Sequence, residues 1–229
     1  MARLVSVFSL IIFSATLSLA QNPVEAVEHL AFQQPAIVET GEVKYPANSV
    51  AYGIVALGVT IDTEGHVEAV KVNRDIVSLT PEAIRAVNGW KFKPAHLGGK
   101  AIQSKTAIAV VFDPAVNDPP PATLSPLAEH PDEETQDLRF TLPEVIQAVY
   151  PRYPLASVAE GTVVLQLEID AEGKAEAVKT LREIVSLTPE AVQAVKRWKF
   201  EPAKVDGKPV TSKMTVAFLF RRPLYPDRR

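Results

Sequence analysis

The chain contains one module twice. Residues 45–112 align with residues 153–220 at a constant shift of 108 residues (153 − 45), without a gap, and more than half of the aligned positions are identical. The longest shared strings are IVSLTPEA, at 76 and 184, and WKF, at 90 and 198. A residue present in only one copy cannot serve a role that both copies share, so the repeat governs how every other feature is interpreted.

The first 20 residues have the pattern of a secretory signal. Arg3 is the only charged residue before Glu25, and the apolar run from Leu4 to Ala20 ends on small residues. A basic start, an apolar stretch and a small-residue cleavage site predict a signal peptide at residues 1–20. A membrane anchor is the alternative, because the run is only slightly shorter than the roughly 18 to 20 residues that span a bilayer.

Charge and residue usage exclude several classes of protein. A net charge of −3 argues against a nucleic-acid-binding surface. An exported chain without cysteine has no disulfide framework, so its domains depend on their apolar cores. Prolines and acidic residues cluster between the repeats, which predicts a stiff, solvated linker at residues 114–136. This linker separates a first domain at residues 36–113 from a second at residues 137–222.

Each repeat carries the signals of two strands, a helix and a strand. Apolar residues alternate along residues 55–61 and 163–169, which predicts a strand with one face toward a core and Glu168 on the outward face. A glycine turn at residues 62–65 and 170–173 predicts a hairpin. Threonine and proline at 80–81 and 188–189 predict a helix start that the threonine caps. The sequence therefore predicts an α+β fold of two tandem β-β-α-β domains, each a three-stranded antiparallel sheet with a helix on one face.

Four aromatic residues are predicted to form the core of the two domains. They are Trp90 and Phe92 in the first repeat and Trp198 and Phe200 in the second. Each tryptophan lies on the apolar stripe of the predicted helix, where a core anchor is favoured over a ligand-stacking surface.

No pattern of catalytic or metal-binding residues recurs in both copies. His66 and His96 of the first repeat become Lys174 and Lys204 in the second, and no histidine recurs beside the repeated serines. The turns at residues 62–65 and 170–173 lack the later carboxylates of a calcium loop. We therefore expect neither an enzyme nor a protein that binds a metal or cofactor.

The order of these motifs resembles the carboxy-terminal domain of the TonB energy transducers of Gram-negative bacteria. The resemblance rests on YP, a glycine before an alternating strand, the A..AV..WKF.PA...GK pattern and a closing strand that ends in phenylalanine, and it covers both copies. It implies a periplasmic domain that binds the TonB box, an extended peptide of an outer-membrane transporter. Binding would occur by strand addition to the edge of the last strand.

The resemblance places the peptide-binding edge on the closing strands of the two repeats. The edge comprises Thr106, Ala107, Ile108, Ala109 and Val110 in the first repeat and Ser212, Lys213, Met214, Thr215, Val216, Ala217, Phe218, Leu219 and Phe220 in the second. We expect at least one closing strand to be an open edge, available to a peptide or to self-association.

Three departures from the family argue against coupling to the ExbB and ExbD motor. No histidine precedes His29, the spacer is short, and the domain is doubled. Two hypotheses follow from the sequence. The chain is either a TonB-like protein that binds transporter peptides or a motor-free periplasmic scaffold built from two such domains.

Overall fold

The computed structural model describes residues 32–114, 122–124 and 140–222, and all three ranges belong to one compact unit. The predicted signal at residues 1–20 and most of the predicted linker lie outside the described residues. Within the described part, the fold is α+β with two short helices and seventeen strands. Neither helix is long and apolar enough to span a membrane.

The two repeats have equivalent elements in the same order. In the first repeat these are β1 (Phe32–Gln33), β2 (Ala36–Glu39), β3 (Gly53–Ile61), β4 (Val67–Arg74), α1 (Thr80–Asn88), β5 (Lys91–Lys93), β6 (Ala95–Leu97), β7 (Lys100–Ile102) and β8 (Ser104–Phe112). A short strand, β9 (Ala122–Thr123), follows. In the second repeat they are β10 (Phe140–Thr141), β11 (Glu144–Ala148), β12 (Gly161–Ile169), β13 (Ala175–Arg182), α2 (Thr188–Val195), β14 (Lys199–Glu201), β15 (Ala203–Val205), β16 (Lys208–Val210) and β17 (Ser212–Phe220).

A single six-stranded sheet runs through both repeats, in the order β13-β12-β17-β8-β3-β4. Pairing within each repeat is antiparallel, as the sequence predicts, whereas β8 and β17 pair in parallel. The expected pair of separate three-stranded sheets is therefore replaced by one shared sheet. The closing strands supply the junction, because each has one edge left after pairing with its own repeat.

Each face of this sheet is covered by the helix of a different repeat. Val55, Leu57, Val59 and Ile61 of β3 pack in one core with residues of α1, while Val163, Leu165, Leu167 and Ile169 of β12 pack in another with residues of α2. Successive residues of a strand point to opposite faces, so α1 and α2 lie on opposite sides of the sheet. The two cores also exchange residues. Ile54, Ala107, Ala109 and Val111 join the core of the second repeat, and Val164, Ala217 and Leu219 join that of the first.

The hairpin after β3 or β12 packs against the strand that follows the helix. The backbone φ is +92° at Gly65 and +79° at Gly173, a region that favours glycine. A Cβ at either position would lie 2.0 Å from the backbone oxygen of Phe92 or Phe200. In return, the amides of Phe92 and Phe200 donate to the glycine carbonyls at 3.0 Å. Glycine is therefore required here by close approach as well as by turn geometry.

The threonine at each helix start does not cap the helix. The N-cap residues are Leu79 and Leu187, and no side chain caps either helix. The hydroxyl of Thr80 instead accepts a hydrogen bond from the amide of Ile76 at 2.9 Å, and Thr188 does the same with Ile184 at 3.0 Å. The predicted cap is wrong because the turn before the helix, rather than its first turn, uses the hydroxyl.

Short strands outside the predicted set form four further small sheets. Their pairings are β1-β6-β7, β10-β15-β16, β14-β11-β9 and β2-β5. Most of these strands have two or three residues, too few for an alternation of apolar and polar residues to be recognised.

Candidate functional site

The closing strands β8 and β17 lie at the centre of the sheet. Residues Ala107–Phe112 are in parallel register with Met214–Leu219, and each strand pairs on its other side with its own repeat. Neither strand is an open edge, so the expectation of a free closing edge does not hold in this structure. The peptide-binding role of these strands stays a prediction.

The predicted edge residues are almost all buried. In β8, Thr106 is half-buried and Ala107, Ile108, Ala109 and Val110 are buried. In β17, Lys213 is exposed, and Ser212 and the residues from Met214 to Phe220 are buried. Continuous apolar runs of this kind indicate strands that are covered on both faces. The runs at residues 107–112 and 216–220 were thus a sequence signal for a central position.

The open edges of the sheet are β4 and β13. Both strands are mostly half-buried or exposed, and they carry charged residues such as Glu68 and Lys179. Charged side chains on an edge strand protect it from unintended pairing with other strands. These two edges therefore retain free backbone groups but present few apolar side chains to a partner.

A buried hydroxyl outside the predicted set links the two repeats. Thr162 is buried; its Oγ1 accepts a hydrogen bond from the amide of Val43 at 3.1 Å and donates to the Val43 carbonyl at 3.3 Å. Its counterpart in the first repeat is Ile54, which packs in the core of the second repeat. Sequence analysis missed Thr162 because the two copies differ at this position.

The four predicted core aromatics are buried in the two cores. Trp198 packs against Phe200 and Phe218, with ring centroids 6.0 and 5.7 Å away, and its Nε1 donates to the Val149 carbonyl at 2.8 Å. Nε1 of Trp90 has no hydrogen-bond partner among the described residues. The arrangement gives these side chains a packing role and leaves no free aromatic face for a ligand.

The carboxylates of the hairpin turns are engaged by the turn backbone. Oδ1 of Asp62 accepts hydrogen bonds from the amides of Glu64 and His66, at 2.8 and 2.9 Å, and these bonds lower the pKa of Asp62. Asp62, Glu64 and His66 lie close enough together to offer ligands to a metal ion. Asp170 forms the same turn with Lys174 in place of the histidine. The shared feature is therefore a structural turn.

A buried carboxyl group lies at the end of β8, beside β17. Asp113 is 4% exposed, its amide donates to the Leu219 carbonyl at 3.3 Å, and its Oδ1 has no hydrogen-bond partner among the described residues. Burial raises the pKa of this carboxyl to about 8, although the positive charge of Arg221 acts in the opposite direction. The guanidinium of Arg221 stacks on the ring of Tyr45 at 3.3 Å.

Asp113 is expected to make the protein less stable as the pH rises. A folded-state pKa above the usual value of about 3.9 contributes stability that is complete below pH 4 and is lost as the pH rises through about 8. The slope is at most about 1.4 kcal/mol per pH unit. Asp113→Asn should flatten this decline in denaturant unfolding measured from pH 4 to pH 9, whereas Asp75→Asn, on the surface, should not. Parallel profiles for the native and Asp113→Asn chains would contradict the assignment.

Comparison with known proteins identifies a family for both repeats. The sequence model described as Gram-negative bacterial TonB protein C-terminal matches residues 41–114 and 146–221. The protein TonB of Vibrio cholerae serotype O1 (strain ATCC 39315 / El Tor Inaba N16961) is 32% identical over 78 residues, which is 33% of this chain and 32% of that protein. The chain thus spans about a third of the length of this curated relative.

Proposed function

Because the chain belongs to the family of Gram-negative bacterial TonB protein C-terminal domains, we propose that it is a periplasmic component of TonB-type transport. It binds extended peptide segments of outer-membrane transporters by strand addition to a closing strand. Main-chain hydrogen bonds supply affinity, and alternate side-chain positions supply selectivity. The chain is therefore a binding protein and not an enzyme.

The observation that carries this proposal is the pairing of β8 with β17. Each closing strand already receives an additional strand along its outer edge, and that strand comes from the other repeat. An edge that accepts six residues of another repeat in register has the free backbone donors and acceptors that an extended peptide requires. The counterpart strand occupies the position that the peptide takes.

Peptide binding requires the two closing strands to separate. The counterpart strand is part of the same chain and competes at a high effective concentration. The apparent affinity is lowered by the fraction of molecules in which the strands are apart. We therefore expect weak binding by the intact chain, with chemical-shift changes on β8 and β17 rather than on the helices.

A disulfide between the closing strands tests this exchange. Ala107 and Met214 are in register and pack in the same core, and neighbouring strands are about 4.8 Å apart, within the range that a disulfide spans. The chain has no native cysteine, so Ala107→Cys with Met214→Cys introduces a single defined pair. Oxidation should weaken binding of TonB-box peptides at least tenfold, and reduction should restore it. Titration of the isotope-labelled full chain measures both states.

The matched control joins β17 to its own repeat. Glu168 and Lys213 are exposed partners in the β12–β17 register, so Glu168→Cys with Lys213→Cys leaves the junction between the repeats unchanged. This variant should bind equally well when oxidised and when reduced. If the Ala107–Met214 disulfide leaves the affinity unaltered, exchange is wrong and the peptide adds to β4 or β13 instead.

The same pairing also favours a second candidate, a motor-free periplasmic scaffold. Here β8 and β17 permanently complete each other's edges, and neither a transporter peptide nor ExbB and ExbD binds. Only β4 and β13 then remain open for other envelope proteins. Absence of peptide binding in every redox state of both variants, at millimolar peptide, would favour this candidate over transport.

A further inference from the structure

A cavity of about 300 Å³ lies where the two closing strands begin. Its walls come from the starts of β8 and β17, from β1 and β10, and from residues beside them. Neither the family assignment nor the proposed strand exchange gives this cavity a role. The volume is that of about ten water molecules, and it is at the small end of the range for small-molecule sites.

Both repeats contribute the same residue types to the cavity. Phe32 and Phe140, Pro35 and Pro143, Ser104 and Ser212, and Lys105 and Lys213 are identical pairs that line it, each at the 108-residue spacing. The two phenylalanines lie outside the segment in which the repeat was first recognised. Their rings are 54% and 44% exposed, although they are large apolar side chains. Burying them against an apolar ligand would therefore be favourable.

Two buried hydroxyl groups in the cavity lack a hydrogen-bond partner. Ser212 is 6% exposed, and the Oγ atoms of Ser104 and Ser212 have no hydrogen-bond partner among the described residues. A buried polar atom without a partner is unfavourable. A ligand that accepts hydrogen bonds from these hydroxyls would remove that cost.

The charge of the cavity specifies the sign of the ligand. Lys105 and Lys213 are among its lining residues, and none of the described residues that line it is acidic. Glu168 is the register partner of Lys213 across β12 and β17, whereas Thr60 is the partner of Lys105. Lys105 therefore has the less compensated charge, and an anionic head group would be favoured at its end of the cavity.

We propose that this cavity binds an amphipathic monocarboxylate with a medium-length alkyl chain. The carboxylate accepts hydrogen bonds from Ser104 and Ser212 and faces Lys105 and Lys213, while the alkyl chain packs between Phe32 and Phe140. An alkyl chain of about ten carbons matches the volume, which excludes a full-length diacyl lipid.

Calorimetric titration of the full chain with decanoate tests the proposal. We expect saturable binding of one decanoate per chain and much weaker binding of decanol or decylamine, which have the same alkyl chain without the negative charge. Equal binding of all three ligands would contradict recognition of the carboxylate. Absence of saturable decanoate binding would overturn the proposal and leave the cavity to another ligand class, such as a peptide.

Ser212→Ala separates a binding role from a structural one. Removal of an unpartnered buried hydroxyl should leave the melting temperature of the free protein unchanged or higher. The same change should weaken decanoate binding about tenfold, because a hydrogen bond to a charged group is lost. Ser157→Ala is the control, because Ser157 bonds Ser186 on the surface, away from the cavity. An unaltered decanoate affinity for Ser212→Ala would overturn the assignment of the hydroxyl.

The lysines provide a second, independent comparison. Lys105→Met should weaken decanoate binding about fivefold, and Lys213→Met by less, because Glu168 already compensates the charge of Lys213. Lys179→Met, on the exposed edge strand β13, should have no effect. Loss of peptide binding in the disulfide experiment would not alter these results, so the two proposals fail separately.

Discussion

Replacing Trp198 by alanine is expected to lower the free energy of unfolding by about 3 to 5 kcal/mol. The side chain is 3% exposed and packs against Phe200 and Phe218. Its loss leaves a cavity and also removes the hydrogen bond to the Val149 carbonyl. A change of this size is a large part of the 5 to 15 kcal/mol that typically stabilises a folded protein.

The shared sheet carries this effect beyond the second repeat. The core around Trp198 contains Ile54, Ala107, Ala109 and Val111 of the first repeat, which would be exposed if the second repeat unfolded. We therefore expect one cooperative transition at lower denaturant concentration, monitored by circular dichroism. Glu168→Ala, on the exposed side of β12, should alter the free energy by no more than about 0.5 kcal/mol. Indistinguishable unfolding curves for the two variants would show that the assignment of the faces is wrong.

The second large effect is expected for Gly173→Ala. Gly173 and Gly207 have nearly the same backbone φ, +79° and +75°, so alanine is strained to a similar degree at both. This strain costs roughly 1 to 2 kcal/mol. A Cβ at Gly173 would also meet the Phe200 oxygen at 2.0 Å, whereas a Cβ at Gly207 meets nothing within 4 Å. The difference between the two variants isolates the close approach from the strain.

Gly173→Ala should therefore destabilise the protein by at least about 2 kcal/mol more than Gly207→Ala, because the hairpin must move away from β14. That movement also breaks the hydrogen bond from the Phe200 amide to the Gly173 carbonyl. Denaturant unfolding of the two variants, side by side, gives this difference directly. Equal losses would mean that the hairpin is not held against β14.

Local patterns predicted the elements within each repeat well. The alternation at residues 55–61 and 163–169 predicted strands, and the observed strands β3 and β12 contain these residues. The turn glycines and the proline at the helix start likewise agree with the structure. These features depend on neighbouring residues, so a short stretch of sequence contains their cause. The helix cap failed because the threonine hydroxyl had a second local partner, the amide of Ile76 or Ile184.

The closing strands show where local reasoning stops. Their continuous apolar runs at residues 107–112 and 216–220 indicate burial on both faces, and the observed burial agrees. The same runs do not say what covers the second face or the outer edge. A transporter peptide, a second copy and the other repeat would all require the same residues, because strand pairing uses backbone groups that every residue has.

The sequence by itself determined the duplication, the α+β class, the faces of the first strand of each repeat and the glycine turns, since each arises from contacts within one module. Only the tertiary structure decided that β8 and β17 pair in parallel and that each helix covers a different face of one sheet. It alone assembled the cavity from residues of both repeats. The physical reason is that these contacts join positions about 108 residues apart, where side chains fix the need for burial and the folded chain supplies the partner.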